Sequence, residues 1–175
     1  VQGDIFPSFG MTEPDISSSD PTQLETSAVL EGDEWVINGR KWFTTGAARA
    51  AYTTVMCRTE VDVPSHGAFS MIIVPTNNSG YEIVRETPVL GIEGGHYEVS
   101  YNNVRVPKEN LLGPRGQGFL IAQRRLGPGR IFHCMRWLGQ AQRAFDLMCL
   151  RLHERNAFGS SLAVSYTHLT LPTRL

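Results

Sequence analysis

The chain of 175 residues has few cysteines. Cys57, Cys134 and Cys149 are odd in number and far apart. Such a set does not read as a disulfide framework and points to reduced thiols inside a cell. It also offers little to a metal: Cys149 and His153 stand four apart on a helical pattern, and His133 precedes Cys134, which is a half-site without partners. No metal centre is expected. No run of 18 apolar residues exists, which argues against a membrane-spanning helix. The opening residues, VQGDIFPSFG, lack Met, a basic segment and an apolar core, so no secretory signal is expected and the reading frame is expected to begin upstream.

Net charge is also scarce, at −1, but it is unevenly spread. Residues 1–60 carry nine acids against four bases, whereas 105–155 carry ten bases, nine of them Arg, against three acids. A basic helical end suits nucleic acid or the phosphates of a nucleotide cofactor. Without a nucleic-acid motif or an interleaved aromatic platform, the cofactor is the better match.

From 24 to 107 the pattern is that of strands. LETSAVLEG, EWVINGRKWFTTG, AYTTVMCRT, AFSMIIVP, YEIVRET and HYEVSYNNVRVP are β-branched and aromatic runs separated by Pro, Gly, Asn and Ser. Asn38-Gly39 reads as a hairpin turn within the second run. Short strands with no helical pattern between them predict an antiparallel barrel or sandwich. From Gly118 the period becomes helical, with Ile131, Met135, Leu138, Phe145 and Leu152 near one face. The Gly127-Pro128-Gly129 stretch should interrupt that helix or start a new one. The expected fold class is therefore α+β: a β-domain over 1–115, then one or two helices of a truncated bundle over 116–163. The last residues, VSYTHLTLPTRL (164–175), fit neither pattern, resemble a translated sequencing adapter, and are set aside as foreign.

Near the start, FGMTEPDISSSDP combines Pro14, Asp15 and three serines in what must be a turn, since Pro21 opposes a helix. Rigid turn chemistry of this kind also holds donors in place for a flat, polar ligand. The segment MTEPDISSSD resembles the TEP…SD signature of the acyl-CoA dehydrogenase family. VINGRKWFTTGA, VRVPKENLLG and ERNAFG are similar to three further family segments, and all four follow in family order. RLGPGRIFHCMR resembles the branch that includes family members ten and eleven.

That resemblance implies a middle β-domain and the start of a C-terminal helical bundle from an FAD-dependent enzyme that dehydrogenates an acyl-CoA thioester between its α and β carbons. It implies that Phe9, Met11 and Thr12 line the isoalloxazine and that Ser18 and Ser19 lie near the cofactor pyrophosphate or the substrate. Phe43 and Thr45 align with the aromatic and the hydroxyl close to flavin N5, with Trp42 adjacent. Arg130 aligns with a substrate-contacting arginine, and Gly127 stands where many members have an acid. Arg155 aligns with the arginine that reaches the FAD pyrophosphate of a neighbouring subunit, which implies a homodimer or homotetramer, and Phe158 with a residue near the adenine. Glu13 is assigned to the turn, not to catalysis. The family's base is a carboxylate beyond residue 163, so no catalytic residue is assigned and the chain alone is expected to be inactive. The implied partners are an acyl-CoA and an electron-transfer flavoprotein, in the cytoplasm of a bacterium or the mitochondrial matrix of a eukaryote.

Two alternatives stay open: an acyl-CoA oxidase-like flavoenzyme, and a β-domain that binds a nucleotide or a partner without catalysis. Gly116-Gln117-Gly118 and Gly127-Pro128-Gly129 begin like dinucleotide fingerprints, but Ile121 and Phe132 occupy the third glycine position and no βαβ unit follows. His66 and His96 lie in loop-like stretches without a nucleophile beside them, which gives no support to a hydrolase triad.

Overall fold

The first two long strands pair without using Asn38-Gly39. In the computed structural model, which describes residues 5–165, β1 (Pro7–Gly10) is followed by β2 (Ser27–Glu31) and β3 (Glu34–Thr45). The β2–β3 turn is Gly32-Asp33, where Gly32 has φ +62°. Asn38 and Gly39 instead lie inside β3, which corrects the expected hairpin. The reason is tertiary. Thr26 crosses so close to β3 that a Cβ at Gly39 would lie 2.5 Å from its Oγ1, and the Asn38 side chain accepts a 2.8 Å hydrogen bond from the Asn103 amide. Glycine is there for close approach, and asparagine for a contact across the sheet.

The remaining strands are β4 (Tyr52–Arg58), β5 (Phe69–Pro75), β6 (Tyr81–Glu86), β7 (His96–Pro107) and β8 (Leu111–Leu112). Together they form one sheet in the order β6-β7-β3-β2-β4-β5-β8, to which β1 adds by parallel pairing with β4. Most other neighbours are antiparallel, as short strands without helical crossovers require. The two faces of β4 and β5 are both buried. Val55, Cys57, Ile72 and Val74 join Trp35, Ile37, Val99, Tyr101, Val104 and Val106 in the main core, and Met56, Phe69 and Met71 point the other way to a second cluster with Leu24 and Ala122. Along β7 the inward residues run 99, 101, 104 and 106 rather than every second position. Where β3 advances from Ile37 to Gly39, β7 advances from Val104 to Tyr101, and the extra residue, Asn103, takes φ +50°. This bulge brings Tyr101 and Val104 to the same face.

Among the described residues one α-helix follows, α1 (Gly118–Glu154). Gly118 starts it against β5, so near that a Cβ would stand 2.9 Å from the Phe69 carbonyl oxygen. The glycines around 116–118 thus serve packing. Pro128 lies inside the helix rather than at a break, which corrects the expected interruption. Proline removes one helical N–H and crowds the carbonyl four residues back. The flanking Gly127 and Gly129 present no Cβ, and neither position has a neighbour within contact distance. The chain continues helically and loses one hydrogen bond.

The chain divides into two compact units, 1–124 and 125–175, with the division at Arg124, the residue whose carbonyl Pro128 leaves without its helical donor. In the second unit, β9 (Asn156–Ala157) and β10 (Ser160–Ser161) form a small hairpin after α1. Of the 164–175 tail, residues 166–175 lie outside the described residues. No helix among the described residues is long and apolar enough to cross a membrane.

Candidate functional site

The opening turn is tied to β3 through two adjacent residues. The Thr12 hydroxyl donates to the Trp42 carbonyl at 2.8 Å, and the Trp42 amide donates back to the Thr12 carbonyl at 2.9 Å. One residue earlier on β3, Lys41 is fully buried, and its Nζ donates to Glu13 Oε1 at 2.7 Å and to the Met11 carbonyl at 2.9 Å. Glu13 also accepts from the amides of Glu25, at 2.7 Å, and Thr26, at 2.9 Å. Burial alone would raise the Glu13 carboxyl, but the Lys41 ammonium and these amide donors outweigh it and hold the group below the ordinary carboxylate range. Glu13 is thus a buried, ionised clamp with all its acceptors engaged, unsuited to proton abstraction. Burial also pulls the Lys41 ammonium below its ordinary range, against the opposing pull of Glu13.

Within the turn, the Glu13 amide donates to Ser18 Oγ at 2.8 Å, and the Ser18 hydroxyl reaches the Glu13 carbonyl at 3.1 Å. Ser17 and Ser19 pair through their hydroxyls at 3.2 Å on the surface. Phe9 and Met11 pack against the second cluster, around Leu24, Met56 and Met71.

Beyond Lys41, β3 bulges. Lys41 pairs with Val99 and the next pair is Thr44 with Tyr97, so Trp42 and Phe43 loop out between them. Phe43 takes φ +49°, a left-handed conformation that costs a bulky residue roughly 1–2 kcal/mol. Its ring lies 4.7 Å from that of Trp42 and is 43% exposed. Thr44 turns inward and is fully buried, and its Oγ1 has no hydrogen-bond partner. Thr45 is exposed, and its Oγ1 lies 2.9 Å from His96 Nδ1.

Phe9, Met11, Thr12, Trp42, Phe43 and Thr45 therefore belong to one connected region, joined by Thr12–Trp42 and by the bulge. The polar cleft of about 330 Å³ in the first unit lies elsewhere, lined by Glu13, Asp15 and Arg40 among others. Glu98, in the same unit, has a fully buried carboxylate bonded to Arg40 and, at 2.7 Å, to Arg85. These hydrogen bonds outweigh its burial and hold it below the ordinary carboxylate range.

The second unit carries the other candidates. Gly127 and Arg130 lie on α1. Arg155 ends the helix, its amide bonded to the Arg151 carbonyl at 3.0 Å and its carbonyl accepting from the Leu162 amide at 2.8 Å. Phe158 occupies the β9–β10 turn at φ +55° and is completely exposed. A strained aromatic held wholly in solvent contributes nothing to its own unit's core.

Sequence reasoning missed Lys41, Thr44, Glu98 and the contact of His96. The one available signal was the step of three between the polar residues Lys41 and Thr44, which a regular strand would place on opposite faces. His66 packs edge-on to Phe119 at 4.7 Å. Among the described residues no three His, Cys, Asp or Glu side chains come together.

Comparison with known proteins identifies the fold. A family model described as the acyl-CoA dehydrogenase middle domain matches residues 8–104, and one described as its C-terminal domain matches 116–167. The chain belongs to the acyl-CoA dehydrogenase family. It is 52% identical over 167 residues to "Probable acyl-CoA dehydrogenase FadE2" of Mycobacterium tuberculosis, covering 93% of this chain and 41% of that protein. It is 46% identical to acyl-CoA dehydrogenase family member 11 of Pongo abelii, covering 96% of this chain and 22% of that one. A solved structure of a probable acyl-CoA dehydrogenase from Mycobacterium abscessus aligns with TM-score 0.81 at 33% identity, over 94% of this chain and 43% of the other. The chain thus spans well under half the length of these relatives.

Proposed function

We propose that this chain is the flavin-holding portion of an FAD-dependent acyl-CoA dehydrogenase. The observation that carries this assignment is the Trp42–Phe43 pair, lifted out of β3 on a bulge with Phe43 exposed, fastened to the TEP turn through Thr12 and followed by the exposed Thr45 hydroxyl. A strained, solvent-facing aromatic with an exposed hydroxyl beside it fits the face and the polar edge of a planar ring. When bound, FAD would supply the acceptor for the hydride leaving the acyl β-carbon.

In this assignment Trp42 and Phe43 form the wall of the isoalloxazine pocket, with Phe9, Met11 and Thr12 beside it. Of the two neighbouring hydroxyls, Thr45 is exposed and Thr44 is fully buried, so Thr45 is the one assigned to the polar edge of the ring. Ser18 shapes the turn that carries Thr12, and Ser19 stands at its outer surface for the pyrophosphate or substrate. Arg155 and Phe158 are assigned to the FAD pyrophosphate and adenine bound by a neighbouring copy, and Arg130, with Gly127 beside it, to the acyl-CoA. The exposed, strained Phe158 supports its part. The α-proton needs a carboxylate base, and both buried carboxylates described, Glu13 and Glu98, are held in ion pairs. The chain alone would then bind cofactor without turning over substrate. In the whole protein the electrons would pass to an electron-transfer flavoprotein.

The test is a fluorescence titration of FAD with the 175-residue chain, beside the Arg155→Ala variant, together with anaerobic addition of acyl-CoA to the full-length protein. Saturable quenching that weakens in Arg155→Ala, and a bound flavin that bleaches with acyl-CoA, are expected. A chain and a full-length protein that both ignore FAD would overturn the proposal.

A further inference from the structure

His96 stands outside the aromatic pair yet touches both Phe43 and the threonine that follows the bulge. Its Nδ1 lies 2.9 Å from Thr45 Oγ1, and its ring meets Phe43 edge-on at 6.2 Å between centroids, within the range of a favourable aromatic pair. The Thr45 hydroxyl also reaches back to the Phe43 carbonyl at 3.5 Å. With His96 Nδ1–H donating to Thr45 Oγ1, the single Thr45 proton is left for the polar edge of the ring, and the Phe43 carbonyl stands behind it. That carbonyl belongs to the residue in the left-handed conformation.

The backbone reinforces the same point. Thr45 and His96 are register partners, the Gly46 amide donates to the Gly95 carbonyl at 2.9 Å, and the Thr87 amide donates to the His96 carbonyl at 2.9 Å. On its other side the bulge is fixed by Thr12 through Trp42. A strained loop of two residues persists only where its surroundings over-determine it. Thr12 fastens one end, and His96 with Thr45 the other.

We propose that His96 is a positioning residue for the flavin site. Through Thr45 it locks the β3 bulge, fixing the Phe43 ring and the Thr45 hydroxyl in the places where they meet the planar ring of the cofactor. This rests on the functional assignment above. His96 itself need not touch the cofactor. Its contribution is to keep the wall from relaxing into a regular strand, which would alter the registration of both Phe43 and Thr44.

The experiment titrates FAD into the 175-residue chain and into His96→Ala, Thr45→Val, the double variant and His96→Asn, whose amide can place a donor where Nδ1 stands. Flavin fluorescence gives the affinity, and the resolution of the bound flavin's absorption bands reports the rigidity of the wall. One hydrogen bond predicts about a five- to tenfold loss of affinity in His96→Ala, and Thr45→Val, which also removes the donor to the ring, should lose more. The double variant should be no weaker than Thr45→Val alone, and His96→Asn should recover affinity and band resolution to near the starting values. Wild-type affinity and spectrum in His96→Ala, additive losses in the double variant, or no recovery in His96→Asn while the variants keep the wild-type melting temperature would each overturn the role of His96. Failure of the unsubstituted chain to bind FAD would instead overturn the functional assignment, so the two failures are distinguishable. If His96→Ala does not fold, His96→Phe, which keeps a ring against Phe43 and removes the Nδ1 donor, reads the same lock.

Discussion

The β unit and the helical unit treat their apolar residues in opposite ways. In the β unit Trp35, Ile37, Val55, Met56, Phe69, Met71 and Ile72 are all buried, and β4 and β5 are covered on both faces. Along α1 after Arg125, Ile131, Phe132, Met135, Trp137, Leu138 and Phe145 are all more than half exposed. The difference follows from geometry. A sheet that pairs β3 with β7 and β4 with β5 builds a core from distant segments of one chain, whereas an amphipathic helix buries its stripe only against a second element of similar length. The same contrast extends to charge. The β unit tolerates buried ions at Glu13–Lys41 and Glu98 because it surrounds them with partners, and the ionisable groups of α1 are almost all exposed.

Four measurements would sharpen or break this contrast. The largest effect is expected at Lys41. Lys41→Ala strands the Glu13 carboxylate in the interior and should lower stability by about 3–5 kcal/mol, read as a fall in the urea midpoint. A midpoint within error of wild type would show that the clamp does not hold the turn. Next comes thiol chemistry. Burial pushes the Cys57 thiol up to about 12, whereas Cys134 is exposed. Against an ordinary thiol that leaves roughly a thousandfold less thiolate at neutral pH, so iodoacetamide should modify Cys134 long before Cys57, as read by peptide mass spectrometry. Comparable rates at the two sites would place Cys57 outside a closed core.

The third effect is acid destabilisation. Glu13 and Glu98 are held below their ordinary carboxylate range in the fold, so on acidification the unfolded chain takes up their protons first. Their contribution is fully present above the ordinary value of 4.5 and is lost as pH falls through the lower folded values. Melting temperature should therefore change little from pH 7 to about pH 5 and drop below that. In Glu98→Gln the drop should be shallower, and a profile identical to wild type would remove Glu98 from the account. The smallest effect belongs to the helix. Leu138→Gln exchanges an exposed side chain and should shift stability by no more than about 0.5 kcal/mol. A larger loss, with the chain monomeric by light scattering, would mean that Leu138 is buried after all.

Much of the fold is legible in residue type and spacing. The strand runs, the change to helical period at Gly118 and the four motifs in family order point to the β-then-helix architecture that the protein has. The candidate site is legible as a set of segments but not as a geometry. Asn38-Gly39 carries every local mark of a hairpin, yet the marks describe what two residues permit, not where Thr26 will cross them. Pro128 reads as a stop because its local cost is real, but one lost hydrogen bond is tolerated in a 37-residue helix. Thr45 stands out as a hydroxyl by alignment, and Thr44 does not. Which of two adjacent threonines faces inward depends on the bulge at Trp42–Phe43, and the bulge depends on bonds to Thr12, thirty residues earlier, and to His96, fifty-one residues after Thr45.

The sequence by itself determined the family, the order of strands and helix, and the chemical character of the opening turn, because those are properties of residue type and spacing along the chain. Only the tertiary structure decided that Glu13 is clamped by Lys41, that Lys41 is buried, and that Phe43 is turned out to solvent while Thr44 turns in. Each depends on segments far apart in sequence and on β-sheet register, and a shift of one residue in that register would send Lys41 and Thr44 to the other face.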